Sequence, residues 1–320
     1  MTTHPTDHDL IASLWGIRPR RSCPDLSVAG SPERTLSRLV LEAEDDSLWV
    51  LEEIAPATFP QKERQAEILH QLHRAALGLV HPFLRVRNGS WAACTNGHCR
   101  MLRPFVDGVS PVRPDYAFDA WRGEAMGTFL VTLRQSSHSL SPEVLGPHFS
   151  LEIFIEDLLG RIRRHDPALL PALHPALQRL DEHLFPVLAN LPSAFCHGDF
   201  HPLNVIWSQE AVRSVIDWEF CGLKTEAYDA ALLMGCIGME DPRALTGPFI
   251  SSFIAGLRRE GLLSPASRSV LFELVLAVRL LWLSEWLRGR DMEMVRLELD
   301  YLDLLLANES LIREAWELTR

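Results

Sequence analysis

Long hydrophobic runs are missing from this sequence. The most apolar stretch, residues 271–287, is interrupted by Glu273, Arg279 and Glu285, whereas a membrane-spanning helix needs about 20 predominantly apolar residues. A secretory signal peptide has a basic segment followed by an apolar core. The first nine residues do not show this pattern. We therefore expect a cytoplasmic protein with no membrane partner.

Lysine is also scarce. The formal net charge is -11, and among the 31 basic residues only Lys62 and Lys224 are lysines. Because nucleic-acid binding depends on a basic surface that neutralises phosphates, we expect no nucleic-acid partner. The acidic balance is compatible with a cationic small molecule, and it leaves the oligomeric state open.

No repeated Cys-x-x-Cys spacing occurs among the six cysteines. Cys94 and Cys99 flank an Asn96-Gly97 pair, and Asn-Gly is the strongest two-residue hairpin signal. On such a hairpin the two cysteines would face each other with Cα atoms about 4.5 Å apart. A disulfide is geometrically feasible, but in a reducing cytoplasm we expect free thiols.

The first hundred residues have the pattern of a small β-rich lobe. Hydrophobic periodicity predicts strands over 35–41, 48–54, 83–87, 91–95 and 98–102, with one helix over 62–77 between the second and third strands. From Tyr116 onwards the patterns are mostly helical. We therefore predict an N-terminal lobe over 1–104 and a larger, mostly helical lobe over 105–320.

Polar side chains with catalytic potential concentrate in residues 195–219. Val205–Trp207 and Ser214–Ile216 are apolar and rich in β-branched residues, which predicts the two strands of a hairpin. Asp199 and Asn204 precede this hairpin, and Asp217 follows it. We expect the three side chains to converge.

The residue types suit phosphoryl transfer. Mg²⁺ prefers oxygen ligands and usually keeps places for phosphate and water, and Asn204 and Asp217 fit that role. Asp199 fits a base that accepts the proton of an attacking hydroxyl. Protein kinases have the same order, with a catalytic Asp, an Asn five residues later and a metal-binding Asp further on.

The motif His197-Gly198-Asp199 with Asn204, followed by Ile216-Asp217-Trp218-Glu219, resembles the aminoglycoside phosphotransferase and choline kinase superfamily of small-molecule kinases. The resemblance implies an α+β, protein-kinase-like fold with a small antiparallel β lobe, a larger helical lobe and the site in the cleft. It implies ATP and Mg²⁺ as cofactors and a hydroxyl of a small molecule as acceptor. It also implies that Asp229 braces the catalytic loop, and we expect His197 to support it from the core.

A nucleotide site is implied in the β-rich lobe. Residues 103–108 correspond to the connector whose backbone binds adenine, although Pro104 removes one donor. Residues 28–35 correspond to a phosphate loop but contain a single glycine. The candidate cofactor-binding residues are Val28, Val50, Glu52, Leu102, Arg103 and Phe105.

Glu52 departs from the family pattern, because it occupies the position of a Lys or Arg that normally contacts the nucleotide phosphates. Strand alternation puts Val50 and Glu52 on one face. A carboxylate about 4 Å from a phosphate charge costs on the order of 4 kcal/mol at an effective dielectric near 20.

Four explanations for Glu52 remain open. A metal or water could lie between Glu52 and the phosphates; Glu52 could form a reversed ion pair with Arg64; or catalysis could be lost, leaving a nucleotide- or metabolite-binding protein. The fourth explanation is that another basic residue supplies the charge, with Arg34, Arg38 and Lys62 as candidates.

The acceptor side is less sharply defined by sequence. An aromatic and acidic lining would suit a cation, and core packing is the alternative role for the tryptophans. The candidates are Trp218, Glu219, Trp282, Glu285 and Trp286.

A zinc-dependent hydrolase is a further alternative. His197, Asp199 and His201 alternate along the chain and suit Zn²⁺. No further ligand stands at a suitable spacing, so the kinase interpretation is favoured.

Overall fold

The computed structural model of the protein describes residues 11–26, 28, 35–95 and 97–318. The chain forms two compact units, one made of Met1–Ser110, Ser136–Val144 and Leu203–Glu219, the other of Pro111–Gln135, Leu145–Pro202 and Phe220–Arg320. The first unit thus extends past residue 104 and includes the segment that carries Asn204 and Asp217.

A five-stranded antiparallel sheet forms the centre of the first unit, with the spatial order β1-β2-β3-β5-β4. The strands are β1 Pro19–Ser22, β2 Ser37–Ala43, β3 Leu48–Ile54, β4 Ala93–Thr95 and β5 His98–Pro104. The strand predicted over 83–87 is wrong, because Leu84 and Val86 make single backbone hydrogen bonds, to Leu102 and Ser90, instead of a ladder.

The two faces of this sheet differ in character. One face is apolar and packs Leu41, Leu51 and Leu102 against Ile11 and Trp15. Because neighbouring residues of a strand point to opposite faces, β2, β3 and β5 send a different set of side chains to the other face. That set includes Arg38, Val50, Glu52, Met101 and Arg103.

Helix α1, Phe59–Arg74, accounts for the predicted helix but begins and ends three residues earlier. Pro60 is tolerated in its first turn because the N–H groups there have no partner in the helix. The chain leaves the helix near Ala76, whose φ is 68°. Two polar side chains, Lys62 and Gln65, are buried along with the apolar face of α1.

The predicted hairpin is present in the first unit. Its strands are β7, Val205–Trp207, and β8, Val212–Val215. The backbone of Trp207 pairs with Val109, and the Val215 N–H donates to the Leu79 carbonyl at 2.9 Å. These bonds explain why the hairpin belongs with the sheet-containing unit and not with the helices that surround it in sequence.

The second unit is mostly helical and contains one short antiparallel pair, β6 Ser193–Cys196 with β9 Gly222–Thr225. After α1, the α-helices in the part of the chain that the structure describes are α2 Ala120–Ser137, α3 Pro142–Leu145, α4 Leu151–His165, α5 Leu170–His183, α6 Phe185–Leu188, α7 Tyr228–Glu240, α8 Pro248–Arg259, α9 Pro265–Ser269, α10 Leu271–Gly289, α11 Met292–Ala307 and α12 Glu309–Ala315. Helix α10 packs against α4, α5, α7 and α11. The predicted α+β class is confirmed.

Two of the charged residues that interrupt the apolar run of α10, Glu273 and Arg279, are buried and paired. Glu273 contacts Arg179 and Arg313, and Arg279 contacts Glu298. Buried charges need such partners. None of the described helices is long and apolar enough to cross a membrane.

Cys94 and Cys99 form a disulfide, with an S–S distance of 2.02 Å. The register of β4 and β5 places the two residues directly opposite each other, with Cα atoms 4.1 Å apart. The prediction of free thiols is therefore wrong for this pair. Asn96 of the predicted turn lies outside the described residues.

Candidate functional site

The predicted catalytic loop, which lies in the second unit, is fixed by a buried carboxylate. Asp229, in the first turn of α7, accepts hydrogen bonds from the backbone N–H groups of His197, at 2.7 Å, and Gly198, at 2.9 Å. Burial raises the pKa of the Asp229 carboxyl to about 6, and these two bonds offset only part of that effect. The loop is thereby fastened to a helix immediately before Asp199.

Gly198 is required by the close approach of a second segment. Its φ is 89°, and a Cβ there would lie 2.2 Å from the Phe220 carbonyl oxygen. No other residue fits without displacing that backbone. This explains why the loop has Gly directly before Asp199.

Two histidines contact Asp199. His197 is fully buried, and its Nδ1 accepts a hydrogen bond from the Asp199 N–H at 3.2 Å. The Nε2 of His201 lies 3.6 Å from the Asp199 carboxylate. His197 therefore fixes the backbone of Asp199, and His201 lies beside its carboxylate oxygen atoms.

Asn204 and Asp217 lie at neighbouring positions of the first unit. The Ile216 N–H donates to the Asn204 carbonyl at 2.9 Å, which extends the β7–β8 ladder by one bond. Asp217, the next residue, has a φ of 65°, in the left-handed region that non-glycine residues seldom adopt. Carboxamide and carboxylate oxygens at this hairpin end form a donor set that suits Mg²⁺ with phosphate and water as further ligands.

A cavity in the first unit is lined by Asp217 and by further side chains of both charges. Its cationic side chains are Arg38, Lys62 and Arg103, and its carboxylates are Glu52, Asp217 and Glu219. The remaining lining comes from residues 80–83 and 214–218 and from the buried face of α1.

Glu52 is 3% exposed and paired with two arginines. The Nε of Arg103 donates to its carboxylate at 2.8 Å, and the Nε of Arg38 lies 3.9 Å away. Burial alone would raise the pKa of Glu52, but the charges of Arg103, Lys62 and Arg38 outweigh it and hold the pKa below its usual value. Glu52 is thus a stable anion.

The reversed pair of Glu52 with Arg64 is not formed, because the Arg64 Nε donates to the Val144 carbonyl at 2.7 Å. Lys62 pairs instead with Glu219, at 2.6 Å. Arg34 lies outside the described residues. Sequence reasoning missed Arg103 as the main partner of Glu52, although the alternation of β5 against β3 is a signal for it.

The other predicted nucleotide contacts are not brought together. Val50 is fully buried, Leu102 lies on the opposite face of the sheet, and the Phe105 N–H is bonded to the Leu48 carbonyl at 2.9 Å. Leu102 cannot share a surface with Val50, because consecutive positions of β5 alternate between faces. Val28 is partly buried, and most of the predicted phosphate loop lies outside the described residues.

The predicted acceptor residues divide into separate groups. Trp218 is 2% exposed, with its indole bonded to the Val215 carbonyl. Trp282 and Trp286 stack with ring centroids 5.8 Å apart, and the ring of His201 meets Trp282 edge-on at 6.0 Å. In the second unit an aromatic pair therefore lies next to the histidine that contacts Asp199.

The two acidic residues predicted for the acceptor site, Glu219 and Glu285, are both paired with cationic side chains. Glu219 pairs with Lys62, and the exposed Glu285 accepts from the Arg288 Nε at 3.0 Å. In the part of the chain that the structure describes, no three His, Cys, Asp or Glu side chains form a group that could hold a metal ion. The zinc alternative for His197, Asp199 and His201 therefore finds no support.

A model of the phosphotransferase enzyme family matches residues 35–264. The chain belongs to this family. The match begins before β2 and continues to the start of α9, so it includes both the Glu52 cavity and the catalytic loop.

Relatives with similar sequences are named homoserine kinase. The protein of Nitrobacter hamburgensis is 26% identical over 204 residues, which cover 62% of this chain and 60% of that protein. The protein of Granulibacter bethesdensis is 26% identical over 204 residues, covering 62% of this chain and 61% of that protein. The chain thus matches about three fifths of the length of these relatives.

Solved structures show the same fold. An amicoumacin kinase in complex with AMP-PNP and Ca²⁺ has a TM-score of 0.67 and 17% identity, covering 93% of this chain and 92% of that one. A choline/ethanolamine kinase family protein from Mesorhizobium loti has a TM-score of 0.58 and 18% identity, covering 98% and 97%. The predicted kinase-like fold is confirmed.

Proposed function

We propose that this phosphotransferase is an ATP-dependent small-molecule kinase that moves the γ-phosphoryl group to a hydroxyl group. The observation that carries the proposal is the Ile216–Asn204 backbone bond, which holds Asn204 beside Asp217 at the end of the hairpin. Family membership and the brace of Asp229 on the catalytic loop support it.

In the proposed reaction the acceptor oxygen forms a bond to the γ-phosphorus while the bond from that phosphorus to ADP breaks. Asp199 accepts the proton of the hydroxyl, and ADP leaves. Asn204 and Asp217 would hold Mg²⁺, which when bound neutralises charge on the phosphates. Most of the rate then comes from positioning and charge neutralisation.

We place amino alcohols first among the acceptor classes. The matched relatives are named homoserine kinase, and homoserine is a zwitterion with a free hydroxyl. The pairing of Glu219 and Glu285 with cations gives a purely cationic acceptor little net attraction. The stacked pair of Trp282 and Trp286 offers an apolar surface beside His201.

The test is ADP formation with Mg²⁺ and a panel containing homoserine, other amino alcohols, choline, sugars and aminoglycosides. We expect acceptor-dependent ADP formation that Asp199→Asn lowers by orders of magnitude. Asp303→Asn, at an exposed carboxylate of α11, is the matched control and should leave the rate unchanged. ATP binding without acceptor-dependent ADP formation would favour the nucleotide-binding alternative.

A further inference from the structure

We propose that Arg103 and Arg38 form the phosphate-binding group of this protein and that Glu52 is the positioning residue that holds them. This proposal rests on the proposed function, because it names the contacts that an ATP phosphate would make. It replaces the sequence expectation that Glu52 either repels the phosphates or signals lost activity.

Strand register brings the three side chains together. Arg38 pairs with Glu52 across β2 and β3, and Arg103 of β5 lies two positions along from Met101, the partner of Glu52. All three therefore occupy the same face of the sheet, and Glu52 stands between the two arginines.

The three side chains together carry a net positive charge, which favours the binding of an anionic phosphate. Glu52 contributes one negative charge, since its pKa is held below the usual value, and Arg38 and Arg103 contribute one positive charge each. The sum is a single positive charge, which is what one lysine at position 52 would supply. The apparent conflict between Glu52 and a nucleotide phosphate is thereby removed.

Arg103 retains donors for a ligand. Its Nε–H is used by Glu52, whereas its terminal nitrogens make no hydrogen bond to any residue in the described part of the chain. The side chain is 14% exposed and lines the same cavity as Asp217. A guanidinium fixed at Nε presents its two terminal nitrogens as a fork, the geometry that binds phosphate oxygens in pairs.

Lys62 is less suited to this role, although it lines the same cavity. Its ammonium group is buried and donates to Glu219 at 2.6 Å, so the two charges cancel locally. A second hydrogen bond, from the side-chain amide Nε2 of Gln61 to the Glu219 backbone carbonyl at 3.3 Å, also joins the segment after Asp217 to α1. We assign this pair to holding the segment after Asp217.

The decisive test is the sign of the effect of Glu52→Gln on MgATP affinity. If Glu52 only repelled phosphate, its neutralisation would strengthen binding. If Glu52 positions the arginines, its neutralisation weakens binding, and we expect a loss of about threefold to tenfold. Adenosine, which lacks phosphates, should bind both proteins equally.

Arg103→Gln and Arg38→Gln provide a second, independent measurement. We expect Arg103→Gln to weaken MgATP binding about tenfold or more and Arg38→Gln to weaken it less, since Arg38 lies farther from Glu52. Arg103→Lys keeps the positive charge but lacks the two terminal nitrogens of the guanidinium. Its MgATP affinity should therefore lie between those of the wild type and Arg103→Gln.

Glu53→Gln and Arg100→Gln are matched controls, because they change the same residue types in β3 and β5 on the opposite face. Both should leave MgATP affinity unchanged. Tighter or unchanged binding in Glu52→Gln, or unchanged binding in Arg103→Gln, overturns the inference while leaving the proposed function intact. A wild-type protein that binds no MgATP would overturn both.

Discussion

Asp229 and Glu52 are both 3% exposed, yet their pKa values are shifted in opposite directions. The partners of Asp229 are two neutral backbone N–H groups, and its pKa rises to about 6. Glu52 is surrounded by cations, which overcome the effect of burial and lower its pKa. The difference shows that the partners of a buried carboxylate, and not the extent of its burial, decide the direction of its pKa shift. Asp229 therefore holds a loop, whereas Glu52 holds cationic side chains.

The largest effect is expected for Asp199→Asn, which changes the chemical step but not the support of the loop by Asp229. Asp199→Asn removes the proposed proton acceptor, so we expect turnover to fall about 10²–10⁴-fold. Affinity for MgATP should change little. Steady-state kinetics together with direct nucleotide binding measure the two quantities, and turnover within a few-fold of wild type would remove Asp199 from the role of base.

Asp229→Ala tests the brace itself. It leaves the buried N–H groups of His197 and Gly198 without an acceptor, and we expect the free energy of unfolding to fall by about 2–5 kcal/mol. Denaturant unfolding at constant pH measures this change. Asp303→Asn, at the exposed site on α11, is the control, and an equally small effect at both sites would mean that the brace contributes nothing.

The pH dependence of the Asp229 contribution follows from its raised pKa. Between the ordinary aspartate pKa of 3.8 and about 6 the folded state binds more protons at Asp229 than the unfolded state, so rising pH reduces stability. Relative to Asp229→Asn, the wild type should therefore lose about 1–3 kcal/mol between pH 4.5 and pH 7.5.

Unfolding of both proteins at the two pH values measures this loss. A wild-type protein that instead gains stability relative to Asp229→Asn as the pH rises would show that the pKa of Asp229 is lowered.

Glu52 should show the opposite trend, with a smaller magnitude. Because its pKa is lowered, the ionised carboxylate contributes stability above the ordinary glutamate pKa of 4.5, and this contribution is lost as the pH falls through the folded-state pKa. Glu52→Gln should thus cost about 1 kcal/mol or more at pH 7 and less near pH 4. A cost that grows on acidification would contradict the assignment.

Sequence alone could predict the hairpin, and propose candidate catalytic residues beside it, because these signals are local. Asp199, Asn204 and Asp217 lie within one short segment, and alternation of apolar residues marks β7 and β8. The expectation for the hairpin strands was correct to within a few residues, since the turn and the register are set by neighbours in the chain.

The environment of Glu52 could not be predicted in the same way. Its main partner, Arg103, is 51 residues away, and only the register of β3 with β5 brings the two together. The same register sends Leu102 to the opposite face of the sheet. Such pairings depend on strand order, which no single stretch of sequence specifies.

Direct detection of the transferred group tests the central claim most clearly. The protein is incubated with Mg²⁺ and ATP carrying ¹⁸O in its γ-phosphoryl group, together with each acceptor class, and the acceptor is examined by mass spectrometry. We expect labelled phosphate esterified to a hydroxyl group, and no labelled ester with Asp199→Asn. Bound ATP with unmodified acceptors, or release of labelled phosphate to water alone, would contradict the assignment as a small-molecule kinase.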